Sequence, residues 1–408
     1  VELLDAYAQV LLKVGLGLKP GQKVLLQAPL EALELSRALV RTAYQEGSRL
    51  VVSFLNDSLA TRLRYEFAPR DSFEETTAWL DQAVLQALRD EDYAFLRITG
   101  QDPEYLAGID PQLIARAQQA QSRTEANQKL RQLISGFQIN WLIAAAATPS
   151  WARRLFPELP SEEATQRLWQ AIFRTTRADL PDPIGAWKEH IAALEARREH
   201  LNQRRYSALH FSGPGTELTV GLPAQHRWVA AQTKARNGAL FTANIPTEEV
   251  FTAPQADGVE GYARSTRPLS LAGQLIEGLE VRFQKGEATE IKAQRGQEIL
   301  EELLKTDPGA RRLGEVALVA ASNPVAREGL LFRNTLFDEN AASHLAFGQA
   351  YPDTLSLEET SEEALKARGG NASRIHIDWM IGGPEVAVDG LLPDGRQEPL
   401  MRGGEWVI

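Results

Sequence analysis

The stretch RIHIDWMIG, Arg374 to Gly382, sets an imidazole and a carboxylate two residues apart in an otherwise apolar run. Read as a β-strand, its alternation sends Ile375, Ile377, Trp379 and Ile381 to one face and His376, Asp378 and Met380 to the other. Ionisable groups are costly to bury unless they are paired or bound to a metal. For an isolated dyad the ordinary reading is a His–Asp hydrogen bond on a partly wet strand. The chain holds only six histidines, however, and His344 lies in a second unusual stretch, FDENAASHLAFGQAY, Phe337 to Tyr351. There Asp338, Glu339, His344 and Tyr351 are spaced among Ala, Ser and Gly, which have too little bulk to build a core. Glu339 and His344 are five apart, so a helix would not put them on one face. This is not the helical H-E-x-x-H arrangement, and a turn or strand end is expected instead. Tyr351, seven residues after His344, would share its face only in a helix; taken alone it reads as a core tyrosine. Two further acids stand out. Glu249 lies between Pro246 and Pro254 in NIPTEEVFTAP, a stiff and extended segment, and Glu315 opens the apolar run GEVALVA. Singly they would read as a loop acid and a strand-end acid. Glu248, Glu301 and Glu302 read as solvated.

The elements that must position these groups follow from periodicity. Glu2 to Val14 has helical period, and Lys23 to Ala28 is a short apolar strand. Leu30 to Gly47 gives a helix with its stop at Gly47. Arg49 to Leu55, Tyr93 to Gly100 and Asn140 to Thr148 are further strands, so strands alternate with helices and a mostly parallel sheet of βαβ units is predicted. Helices from Ser161 to about Thr176 and from Ile184 to Arg204 form a bridge. Beyond Tyr206 the pattern becomes strands and turns, with hairpins around Gly213-Pro-Gly and Lys285-Gly-Glu and one helix in GQEILEELLKT. The expectation is an α/β fold: an N-terminal βαβ domain over 1–180, a helical bridge to about 204, and a β-rich α+β domain over 205–408. Gly15, Gly17 and Gly21 are spaced one residue too wide for a dinucleotide fingerprint and precede a strand rather than follow one. Asn371-Ala-Ser is a glycosylation sequon only in a secreted chain.

Composition narrows the classes. At 408 residues the chain exceeds one ordinary core. Its 44 basic and 54 acidic residues leave a net charge of −10, which argues against nucleic acid or an anionic membrane as partner. The absence of cysteine excludes disulfides, thiolate metal sites and a cysteine nucleophile. It fits an intracellular, cytoplasmic chain. VELLDAYAQVLLKVG carries its charges within the apolar pattern and reads as an amphipathic helix rather than a signal peptide. No stretch has the uncharged length needed to span a bilayer.

Taken together, PTEEVFTAP, RRLGEVALV, TLFDENAASHLAFGQAY and the RGGN and HIDWMIGG runs closely resemble the aminopeptidase T family of metal-dependent aminopeptidases. The likeness covers essentially the full length, including QAQSR (Gln119 to Arg123) and the C-terminal LMRGGEWVI. The loop from Pro352 to Lys366 is its least family-like part. The resemblance implies a two-metal peptidase whose metal positions fall on Glu249, Glu315, Glu339, His344, His376 and Asp378, with Tyr351 beside the metals. Such a set suits Zn²⁺, Co²⁺ or Mn²⁺. It further implies a bridging role for Glu315, proton transfer or metal ligation by Glu339, an oxyanion contact from Tyr351, short peptides as substrates, and a homodimer. Two rivals remain: a metal-dependent amidase on small substrates, and a ligand-binding α/β protein with a structural metal. Six candidate ligands exceed the four of a closed structural zinc site.

Overall fold

The computed structural model describes residues 2–90, 92–271, 274–357 and 361–408. Part of the Pro352–Lys366 loop, residues 358–360, lies outside them. The chain divides into two compact units, residues 1–188 with 232–245, and residues 189–231 with 246–408. Residues 232–245, which a linear reading assigns to the second half, thus belong with the first.

In the first unit, strands Lys23–Pro29, Val51–Asn56, Tyr93–Thr99 and Trp141–Ala145 form a parallel sheet in the order 51–56, 23–29, 93–99, 141–145. Parallel neighbours cannot be joined by a tight turn, so helices make the connections, as the alternation predicted. Leu26, Leu96 and Leu142 bury completely in the middle of the sheet. Helix Leu33–Gln45 stops where Gly47 turns left-handed (φ 87°), the C-terminal device expected there. The first helix departs from expectation in one respect: Glu2–Gln9 is α, but Val10–Gly15 widens into π-helix.

The second unit is built from antiparallel sheets. An eight-stranded sheet runs in the order 287–292, 280–284, 259–264, 216–221, 208–213, 387–391, 397–402, 405–406. Both expected hairpins are in it. Lys285 (φ 47°) and Gly286 (φ 76°) form the two-residue loop of the second, with the paired positive φ values whose twist suits a hairpin. A four-stranded sheet, in the order 376–380, 344–348, 313–319, 249–252, carries the candidate chemistry. The α/β class, with a parallel N-terminal sheet and a β-rich C-terminal part, is as the sequence indicated. Among the described residues no helix is long and apolar enough to cross a membrane.

Candidate metal centre

Register decides which side chains meet. Glu315 pairs with Ala346, and Ala346 with Asp378. Ala317 pairs with His344, which pairs with Met380; Gly348 pairs with His376, and Val319 with Glu249. Directly paired residues point to the same side of a sheet, and i, i+2 residues share a face. Glu249, Glu315, His344, His376 and Asp378 therefore all project from one face. Between the carboxylates of Glu315 and Asp378 stands only Ala346, while His344 is flanked by Ala317 and Met380. Ala346, one of the small residues of FDENAASHLAFGQAY, thus leaves room between the two carboxylates.

The distances show a chain of contacts with Glu315 at its centre. His344 Nε2 is 3.1 Å from Glu249 Oε2 and 3.4 Å from Glu315 Oε1. His376 Nε2 is 3.6 Å from Glu315 Oε2 and 3.2 Å from Asp378 Oδ1. Donor atoms of Glu249, Glu315 and His344 lie within 4.8 Å of one another, all three residues buried. Each imidazole is oriented from behind: His344 Nδ1 donates to Ala342 O at 3.1 Å and His376 Nδ1 to Gln349 O at 2.9 Å. A carbonyl only accepts, so Nδ1 carries the proton and a neutral ring turns a bare Nε2 lone pair toward the carboxylates. Glu249 Oε2, buried, accordingly receives no hydrogen bond. Lone pairs facing carboxylates at these distances repel unless a proton or a metal cation sits among them.

The ionisation equilibria express the same demand. Burial alone would lower the His344 pKa, but Glu249 and Glu315 lift it well above the ordinary imidazole value. Burial likewise opposes the charge on His376, yet Asp378 and Glu315 raise it to about 10. Desolvation raises Glu315, and Glu249 and Asp378 add to the rise against the two histidines. For Asp378 desolvation is outweighed by His376, which holds the carboxyl below its usual range. Glu339, partly buried on the short 3₁₀ turn Glu339–Ala341, is raised well above the carboxylate range by desolvation and then by Asp378 and Glu249. Tyr351 follows the sheet rather than extending a helix. Its ring lies 5.0 Å from that of His376 and edge-on to Phe251 at 6.0 Å. Desolvation and then the carboxylates of Glu315 and Asp378 raise its pKa.

Three expectations about individual acids change. Glu315 does not open its strand; it is the third residue of Leu313–Val319, every one of whose residues is buried. Glu248 is not solvated: it is 4% exposed, with Oε2 3.4 Å from His190 Nε2. Glu301 is partly buried and accepts from Gln297 Nε2 at 3.1 Å, whereas Glu302 is exposed and pairs with Lys305. Asp338 builds the loop, accepting the backbone N–H groups of Phe332 (2.7 Å) and Asn334 (3.0 Å). Asn371 is buried, donating to Gly309 O and Gly348 O. Sequence reasoning passed over Asn340, fully buried beside Glu339. It also missed the carbonyls of Ala342 and Gln349, because a backbone acceptor leaves no mark in residue type.

An α/β unit followed by a β-rich unit with a sheet-borne imidazole–carboxylate cluster defines a metal-dependent hydrolase. The model of the thermophilic metalloprotease (M29) family matches residues 1–406, and the chain belongs to that family. It is 50% identical to Aminopeptidase T of Thermus aquaticus, over 100% of this chain and 99% of that one. With Aminopeptidase 2 of Geobacillus stearothermophilus it shares 42% identity, over 99% and 98% of the two chains. A solved structure, wild-type AmpT from Thermus thermophilus, superposes with a TM-score of 0.93 at 48% identity, covering 100% of this chain and 99% of that one. Membership of a metalloprotease family means that the enzyme uses divalent metal.

Proposed function

We propose that this metal-dependent aminopeptidase removes N-terminal residues from short peptides with two divalent ions held by Glu249, Glu315, Glu339, His344, His376 and Asp378. The observation that carries the reading is the division of Glu315. Its Oε1 faces His344, beside Glu249, and its Oε2 faces His376, beside Asp378. The cluster is thus two half-sites, each with an imidazole and a carboxylate of its own, and one carboxylate offering an oxygen to each. With Glu339 there are four carboxylates to two neutral imidazoles, a charge that two divalent cations balance. The donors are nitrogen and oxygen without sulfur, which suits Zn²⁺, Co²⁺ or Mn²⁺.

Bound there, divalent ions supply Lewis acidity and a water of lowered pKa. The chain's own groups do the rest. Glu339, close enough to Asp378 and Glu249 for their charges to act on it, takes the proton of the attacking water and returns it to the leaving amine. Tyr351, its ring 5.0 Å from that of His376, donates to the oxyanion that develops on the scissile carbonyl. The free α-amino group of the substrate is held in the same acidic cluster. Family likeness supports a homodimer, and the lack of cysteine is consistent with a cytoplasmic enzyme.

The test is a peptide ladder. Metal-loaded enzyme should shorten a short peptide from its N-terminus one residue at a time, as read by mass spectrometry. Chelation should stop it, and N-acetylation should slow it on the order of a thousandfold, because a blocked amine leaves its buried partner unpaired. Internal fragments, or equal rates on free and acetylated peptides, would overturn the exopeptidase reading in favour of a general amidase.

A further inference from the structure

Asn340 does something that neither the cluster nor the core requires of it. It is fully buried, and its side chain reaches away from its own turn. Asn340 Oδ1 accepts the backbone N–H of Glu248 at 2.7 Å, while its Nδ2 donates to Leu336 O at 3.0 Å. The first contact joins chain positions 92 residues apart. The second closes the amide onto the helix Thr335–Asp338 that precedes its own turn. Asn340 is one residue from Glu339, and the amide it grips is one residue from Glu249. On the other side of the same segment, His190 Nε2 lies 2.8 Å from Thr247 O. The strand Glu249–Thr252 is therefore gripped just before its first residue, where no ladder hydrogen bond yet holds it.

We propose that Asn340 is a positioning residue that fixes the backbone of Glu249 against that of Glu339, and so sets the separation of two carboxylates that hold metal. The proposal rests on the ligand assignment made for Glu249 and Glu339. An asparagine suits the task because its planar amide offers a donor and an acceptor in fixed opposition. Aspartate at this position keeps the acceptor for Glu248 N–H and loses the donor. Alanine loses both and leaves a buried backbone N–H without a partner.

Three readouts separate positioning from mere structural support. Metal affinity is measured on folded apoprotein by competition with a chromogenic chelator, using Zn²⁺ as probe. Amide exchange of Glu248 is followed by hydrogen–deuterium mass spectrometry, and the melting temperature of the apoprotein gives the structural cost. Asn340→Ala should weaken Zn²⁺ binding by about 10–100-fold, as loss of a partner that orients a ligand does. It should also speed exchange at Glu248, and Asn340→Asp should restore that protection. If Asn340→Ala lowers the melting temperature while the folded fraction binds Zn²⁺ within twofold of wild type, the residue is only structural and the proposal fails. Unchanged exchange at Glu248 would overturn it as well. Glu249→Gln and Glu339→Gln, run alongside, distinguish the two levels. If they bind Zn²⁺ like wild type, it is the ligand assignment that falls; if they lose Zn²⁺ and Asn340→Ala does not, it is the clamp.

Discussion

The two faces of the four-stranded sheet 376–380, 344–348, 313–319, 249–252 are made by the same strands and share almost nothing. One face carries Leu345, Phe347, Trp379, Val316, Leu318 and Val250, each fully buried. Trp379 stacks on Phe347 at 5.7 Å, and Phe347 in turn meets Phe283 of the eight-stranded sheet at 6.0 Å. The other face carries Glu249, Glu315, His344, His376 and Asp378 among alanines. Burial of large side chains on the first face supplies the stability, on the order of 1.5–3 kcal/mol for each. The second face spends part of it, since burial and then the nearby charges of Glu249 and Asp378 raise the pKa of Glu315 and of Glu339. The pleat keeps the two apart, because a one-residue step changes face and a two-residue step does not. Chemistry and stability should then respond separately to substitution, and four variants test that separation.

The largest effect is expected at Glu315. Glu315→Gln replaces the carboxylate proposed to serve both half-sites by an amide while preserving its shape. Turnover should fall by more than the roughly 10–100-fold typical of an outer partner of a metal ligand. Native mass spectrometry should show fewer than two ions per chain, in a protein whose circular dichroism is that of wild type. Normal metal content and turnover would remove Glu315 from the bridge, and with it the two half-sites. Trp379→Ala makes the opposite cut. Deleting a fully buried tryptophan from the apolar face should cost about 3–5 kcal/mol in stability. The protein that remains folded should still bind metal, since Trp379 points away from the cluster. Loss of metal affinity out of proportion to loss of stability would mean that the faces are coupled.

How much of this could be read beforehand follows from the same geometry. Strand RIHIDWMIG was legible because strict alternation declares both faces at once, and the hairpin at Lys285-Gly286 because a two-residue loop has few sequences that suit it. The α/β to β-rich change at about residue 206 was legible from the change of period. Glu315 was placed at a strand mouth because GEVALVA looks like a beginning; the strand in fact starts at Leu313, two residues earlier, with an irregularity in its pairing between Leu313 and Glu315. Bringing Glu249, Glu315, His344 and His376 to one face needs the register of four strands scattered over more than a hundred residues, and no local pattern records it. Asn340 was not visible at all, because its partners are backbone atoms.

The smallest effect, and the finest test of the two faces, belongs to Glu248. Carried one residue back from the strand, the alternation puts Glu248 with Val250 on the apolar side, and its neighbour Glu249 with the charged cluster. Both acids are buried, yet only Glu248 has a partner of its own away from the cluster, His190 at 3.4 Å. Glu248→Gln keeps the shape, and the His190 ring keeps its contact with Thr247 O, so what is lost is the charge that faces His190 and Arg197. About 1 kcal/mol of stability is the expected cost, the size of a single polar contact. Metal content and turnover should stay within a factor of two to three of wild type, whereas Glu249→Gln, one residue on, should lose metal. Measuring melting temperature and zinc content of the two variants side by side decides the matter. If Glu248→Gln releases metal as readily as Glu249→Gln, the alternation does not separate the faces at this edge of the sheet, and Glu248 belongs to the cluster after all.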